Sequence, residues 1–212
     1  HAIFASLYNY AIKNNIKYIL TGGNFSTECI REPLEWAYHA SDVKHIKDIH
    51  KKFGDLELNN FPLCDIFTYK IYYRFFKGLK VVQPLNFIEF NKEKSMELLK
   101  NLYGWIKYDH KHYESRFTKF YEGYWLLKKF GYDKRKAHFS SLILTGQMTR
   151  EKAINKLSKS PFDQTEIDKE FNFVCKKLDI SEEKLKSIMN QSNKSFKSYK
   201  SSYYLIQFFV KL

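Results

Sequence analysis

The stretch Lys17 to Glu28, KYILTGGNFSTE, constrains the fold more than any other. Three β-forming residues, Tyr18, Ile19 and Leu20, stop at Thr21-Gly22-Gly23-Asn24, which reads as a buried strand ending in a glycine turn. In open α/β sheets ligands bind at that end of a strand. Paired glycines allow close approach to a phosphate or a base, and Asn24, Ser26 or Thr27 can cap the helix that follows. An ordinary turn accounts for the same residues, so the rest of the chain has to decide.

The chain has 212 residues, enough for one domain or one and a half. It opens in the middle of an amphipathic helix, with Ile3, Leu7, Tyr10 and Ala11 on one side, so further sequence is expected upstream of His1. No apolar run reaches the ~20 residues of a membrane span, and the tail YYLIQFFVKL reads as a docked terminal element. A cytoplasmic location is expected. Net charge is +13, which raises nucleic acid, anionic membrane and phosphorylated ligands together. The lysines are spread along the chain as solvated faces would be. The five arginines, Arg31, Arg74, Arg116, Arg135 and Arg150, are the more informative cations. Cys29, Cys64 and Cys175 stand far apart, which argues against a disulfide framework or a complete zinc site.

Along the chain, Pro33 interrupts any helix leaving the turn. Ser41 or Asp42 caps a new one with Val43, Ile46, Ile49 and Phe53 at helical spacing, ended by Gly54. His39, His45 and His50 in this region read as solvent-exposed, since His45 and His50 are five apart and share no helix face. Residues 62–77 form an aromatic helix starting at Pro62, read as core packing. Val81 and Val82 form a short strand, and Asn91 caps a helix carrying Met96, Leu98, Leu99 and Leu102. Residues 111–130 read as a long aromatic helix closed by Gly131. Asp163 and Ser181 cap the later helices. The expected architecture is α/β, with an incomplete Rossmann-like sheet over residues 1–104 and a helical substrate or partner region over 105–212.

Two polar clusters stand out. His112, Glu114 and Arg116 lie in HYESRF, where helical i, i+4 spacing makes His112 and Arg116 neighbours. The second cluster, DKRKAHFSSLILTGQMTR, offers Asp133, Lys134, Arg135, His138, Ser140, Ser141, Gln147, Thr149 and Arg150. It can hold an anion through bidentate arginine and hydroxyl contacts, or simply be capped helices. No Ser-His-Asp order, zinc-protease motif or P-loop signature is present.

HAIFASLYNYAI, YILTGGNFSTE, PLEWAYHASD, IKDIHKKFG, PLNFIEFNKE and HYESRFTKFYEGYWLLKKFGYDKRKAHFSSLILTGQMTRE together resemble the N-acetyl sugar amidotransferases of bacterial surface-polysaccharide (lipopolysaccharide or O-antigen) biosynthesis, within the PP-loop ATPases. The resemblance implies an adenine-nucleotide α-hydrolase type of fold and ATP-dependent conversion of an acetamido group on a nucleotide-sugar to an acetamidino group. Ammonia would come from a partner glutaminase and its cyclase-like companion. ATP and Mg2+ are the implied cofactors, with Thr21, Gly22, Gly23 and Asn24 facing the nucleotide. His112 and Glu114 are expected to orient substrate or steer protons. Lys134, Arg135, His138 and Arg150 are expected on the phosphate or sugar-diphosphate side, with no resident metal site in this stretch. The family's S-G-G-x-D-S phosphate loop is not among these residues and is expected upstream of His1, without which the chain should not turn over.

Three rival readings stand beside this one. A PP-loop tRNA-modifying enzyme or a basic nucleic-acid-binding module suits the charge and predicts affinity that falls steeply with salt. A degenerate family member that does not fold alone is the third, because a sheet lacking its first strands exposes an unpaired edge.

Overall fold

The computed structural model describes residues 1–36, 38–107 and 113–211. In chain order the elements are α1 (Ala2–Lys13), β1 (Tyr18–Leu20), α2 (Phe25–Glu28), α3 (Val43–Phe53), a π-helix (Thr68–Phe76), β2 (Lys80–Val82) and α4 (Lys92–Tyr103). Then come α5 (Arg116–Thr118), a second π-helix (Lys119–Trp125), α6 (Leu126–Phe130), α7 (Arg135–Leu144), α8 (Arg150–Ser158), α9 (Gln164–Leu178), α10 (Glu182–Asn190) and α11 (Tyr203–Lys211). The chain is mostly helical, and among the described residues the sheet is one parallel pair, β1 beside β2, with Ile19 opposite Val81. Parallel pairing through a long helical crossover makes this an α/β chain in the general sense.

By compactness the chain forms two units, each drawn from more than one stretch of sequence. One comprises 1–22, 33–84 and 194–212; the other comprises 23–32 and 85–193.

In the first unit Ala5, Ala11, Cys64, Tyr73 and Leu79 form the core, with Tyr8 stacked on Tyr69 at 4.7 Å between ring centres. Of the apolar side expected of α1, Ala11 is buried and the three larger side chains are not. Ala5 and Ala11 let the helix approach closely, while Ile3, Leu7 and Tyr10 are exposed. The strand expected to be buried is half open as well, with Tyr18 and Leu20 exposed and only Ile19 half-buried. The aromatic run is helical from Ile66, and from Thr68 it widens to π geometry. There Lys77 N–H bonds back five residues to Tyr72 O. Such runs are rare. Tyr73 packs inward, but Phe75 and Phe76 face out.

Asp42 caps α3, accepting from His45 N–H. The positions buried on that helix are polar: His45 and Asp48, where the periodicity pointed to Ile49 and Phe53, both exposed. The cause lies far along the chain. Asp42 also accepts from Ser201 Oγ at 2.6 Å and Ser202 N–H, and Asp48 accepts from Lys200 N–H at 3.0 Å. His45, expected in solvent, is 4% exposed between the rings of Tyr38 and Tyr199.

The second unit packs α9 and α10 on the second π-helix through Phe120, Phe171, Val174, Cys175 and Leu185, and α7 on α8 through Phe139, Leu142 and Ala153. Ser181 and Asp163 cap as the sequence predicts, and α9 buries Ile167, Phe171 and Val174. Gly131, at φ 72°, ends α6; its N–H bonds to Leu127 O, and Tyr132 N–H to Leu126 O. The helix expected over 111–130 begins only at Arg116, where the Ser115 side chain caps Thr118 N–H. By contrast α4, capped by Asn91 as expected, buries none of its leucines.

Candidate functional site

A cavity of about 870 Å³ lies within the second unit, in the size range of small-molecule sites. Its walls come from the chain around Thr27–Glu32, the start of α4, Trp105, the Tyr113–Glu114 turn, the second π-helix and α7. The helix-turn-helix following Gly131 shapes one side. Asp133 Oδ1 accepts from Arg135 N–H at the start of α7, and both residues line the cavity.

The polar residues of α7 and the turn after it bind the segment beyond the glycine turn. Ser141, wholly buried, accepts from Ile30 N–H at 3.0 Å. Thr145 Oγ1 donates to Ser26 O at 2.7 Å. Gln147 donates to Ser26 O and accepts from Lys92 N–H at 2.9 Å, tying α4 to the same place. His138 Nδ1 lies 3.3 Å from Thr27 O, and its Nε2 lies 3.1 Å from Lys92 Nζ. A carbonyl can only accept, so Thr27 O takes its hydrogen from His138 Nδ1.

Lys134 Nζ sits between Glu122 Oε1 at 2.7 Å and Glu32 Oε1 at 3.1 Å. Burial by itself would lower its pKa. The hydrogen bond and charge of Glu122, helped by Glu32, outweigh that and hold it above the usual lysine value. Arg135 grips Asp133 with Nε at 2.9 Å and Nη2 at 2.8 Å. Its remaining donors reach the carbonyls of Lys156, Lys159 and Leu157 at the end of α8. All five guanidinium hydrogens therefore have acceptors within this unit.

Gly123 is a second fixed point. A Cβ there would overlap the Tyr113 hydroxyl and the Phe162 ring, which stack at 6.1 Å. Only glycine there lets Tyr113, stacked on Phe162, line the cavity. A lone glycine in an aromatic helical run could have flagged it from sequence. Lys92, Glu32, Glu122 and Trp105 carry no such signal, because their partners are remote in the chain.

The sequence-predicted residues divide as follows. Glu114, Lys134, Arg135 and His138 come together on this cavity. Arg150 is exposed at the first turn of α8 and is not among its walls. His112 lies outside the described residues. Tyr113 and Glu114 form a turn, and Arg116 bonds Glu170 at 2.9 Å and covers Phe173. Thr21 and Gly22 close a segment of the first unit, Thr21 N–H extending the β ladder to Val82 O; Gly23 and Asn24 open the second. A Cβ on Gly22 would meet no atom within 4 Å. The Asn24 side chain is buried and accepts from Thr27 N–H at 2.9 Å, so it serves the short α2. Among the described residues no group of three or more His, Cys, Asp or Glu is placed to hold a metal.

Residues 114–212 match the family model described as "LPS biosynthesis protein WbpG-like, C-terminal domain", which links the C-terminal part of the chain to lipopolysaccharide biosynthesis. Neither the curated proteins nor the solved structures give a match. Among the described residues no helix is long and apolar enough to cross a membrane.

Proposed function

We propose that this chain, whose residues 114–212 are similar to a lipopolysaccharide-biosynthesis protein, is part of an ATP-dependent amidotransferase acting on an N-acetylated nucleotide-sugar. The observation that carries the reading is a coincidence of place: the matched stretch supplies Glu114, Glu122, Lys134, Arg135 and His138, all of which line the cavity. The acetamido oxygen attacks the α-phosphate of ATP, releasing pyrophosphate. Ammonia then adds to the activated carbon, and the oxygen leaves with AMP. Such chemistry asks for positioning and charge placement and needs no protein nucleophile.

ATP supplies the leaving group when bound, and Mg2+ would accompany its phosphates. Thr21, Gly22, Gly23 and Asn24 meet the nucleotide through backbone groups, because the Asn24 side chain is committed to its cap. A Rossmann-like sheet of the PP-loop type around the β1–β2 pair belongs to this proposal, as does ammonia delivery by a glutaminase and its cyclase-like companion. Glu114 orients the acetamido group from the turn that lines the cavity, and His112 shares that task. His138, with Nε2 3.1 Å from Lys92 Nζ, handles the proton released as ammonia adds.

The test is turnover by the protein expressed from its native reading frame, given ATP, ammonium and a nucleotide-linked N-acetyl sugar labelled with 18O in the acetamido group. The expected result is AMP carrying the label and a sugar in which NH has replaced the oxygen. ADP and phosphate as products, or unlabelled AMP, would sink the reading.

A further inference from the structure

We propose that the cavity of the second unit receives the sugar ring of the substrate and excludes its diphosphate, an inference that rests on the function just proposed. Electrostatics give the first reason. The whole chain carries +13, yet among the described residues the cavity is walled by five lysine and arginine side chains and six carboxylates, nearly balanced in charge. A basic protein with a nearly neutral pocket is not steering a polyanion into it.

The second reason is that the cations best placed to hold phosphate are occupied. Lys134 is shared by Glu122 and Glu32, and every guanidinium hydrogen of Arg135 has an acceptor. A diphosphate would have to displace carboxylates from buried partners and leave those carboxylates unpaired beside it, which is costly. Sugar hydroxyls and an acetamido N–H pose the opposite demand, because they are donors in search of acceptors. Carboxylates keep lone pairs for them even while paired, since each ionised group has about four acceptor positions. The wall adds Trp105 and Tyr113, whose flat apolar faces suit the C–H face of a pyranose. Gly123 is what allows Tyr113 to lie there.

The experiment is titration of the 212-residue chain, followed by tryptophan fluorescence, with free N-acetylglucosamine and separately with pyrophosphate and UDP. The sugar is expected to give a saturable change that disappears in Trp105→Phe, weakens about tenfold in Glu114→Gln, and is indifferent to added salt. That last readout needs no variant. Pyrophosphate and UDP are expected not to compete. Absence of saturation up to about 50 mM sugar, well beyond the ~1 mM of a 4 kcal/mol interaction, overturns the proposal, and so does displacement of the sugar by pyrophosphate. Failure here and failure of the enzyme reading are separable. Labelled AMP without sugar binding in this cavity removes only the site; sugar binding without ammonia transfer removes only the reaction.

Discussion

Arg135 holds Asp133 through two nitrogens, at 2.9 and 2.8 Å, and both side chains are about nine-tenths buried. The same guanidinium takes up carbonyls at the end of α8, so one fork joins the start of α7 to the end of α8. Arg135→Ala strands a buried carboxylate and should cost about 3 kcal/mol of unfolding free energy, read by urea denaturation. Arg135→Lys should recover only part, because a point charge cannot reproduce the fork. Wild-type stability in both variants would remove the structural role.

At Gly123 the helix backbone touches the Tyr113–Phe162 stack. Gly123→Ala forces those rings aside and should lower stability by roughly 1–3 kcal/mol, as overpacking does. Adding Tyr113→Phe, which removes the hydroxyl nearest the new methyl, should restore some of the loss. A thermal melt of the single and double variants measures both effects.

Acid sensitivity should trace in part to Asp48. The hydrogen bond from Lys52, then the Lys200 N–H, holds its carboxyl below the usual aspartate range. A depressed carboxylate stabilises the fold fully above the unfolded-state value of about 4 and loses that contribution as pH falls through the folded value. Asp48→Asn should therefore be less stable than wild type at neutral pH. The gap should close as pH drops below about 4, followed by circular dichroism at graded pH. A gap of constant size would contradict this linkage.

The three cysteines are free and should react in order of access. Burial pushes the Cys64 thiol up to about 11 and raises Cys175 as well, so both stay protonated near neutral pH. Half-buried Cys29 should take up iodoacetamide first. Peptide mapping after brief labelling checks the order, and early modification of Cys64 would show that its pocket opens.

What the sequence alone determined was local. The caps Asn24, Asp42, Asn91, Thr149, Asp163 and Ser181 were readable because a side chain bonds an N–H two or three residues on. The Gly131 stop and the two short strands were readable from equally local signals, a glycine after a helical run and short β-forming runs, whereas the choice between helix and strand for the apolar tail was not. Tertiary structure decided which faces are used. Ile3, Leu7, Tyr10 and Ala11 give α1 an apolar stripe, but of these only Ala11 is buried, and it packs together with Ala5, where small side chains permit close approach. His45 and Asp48 are buried because residues 199–202 cover α3, and no periodicity within α3 encodes a partner some 150 positions away. The cavity is the same case. Lys134 and Arg135 look in sequence like free cations suited to phosphate, and only folding supplies the carboxylates and carbonyls that occupy them. A side chain's type fixes how many hydrogen bonds it can make, and the folded chain fixes with whom.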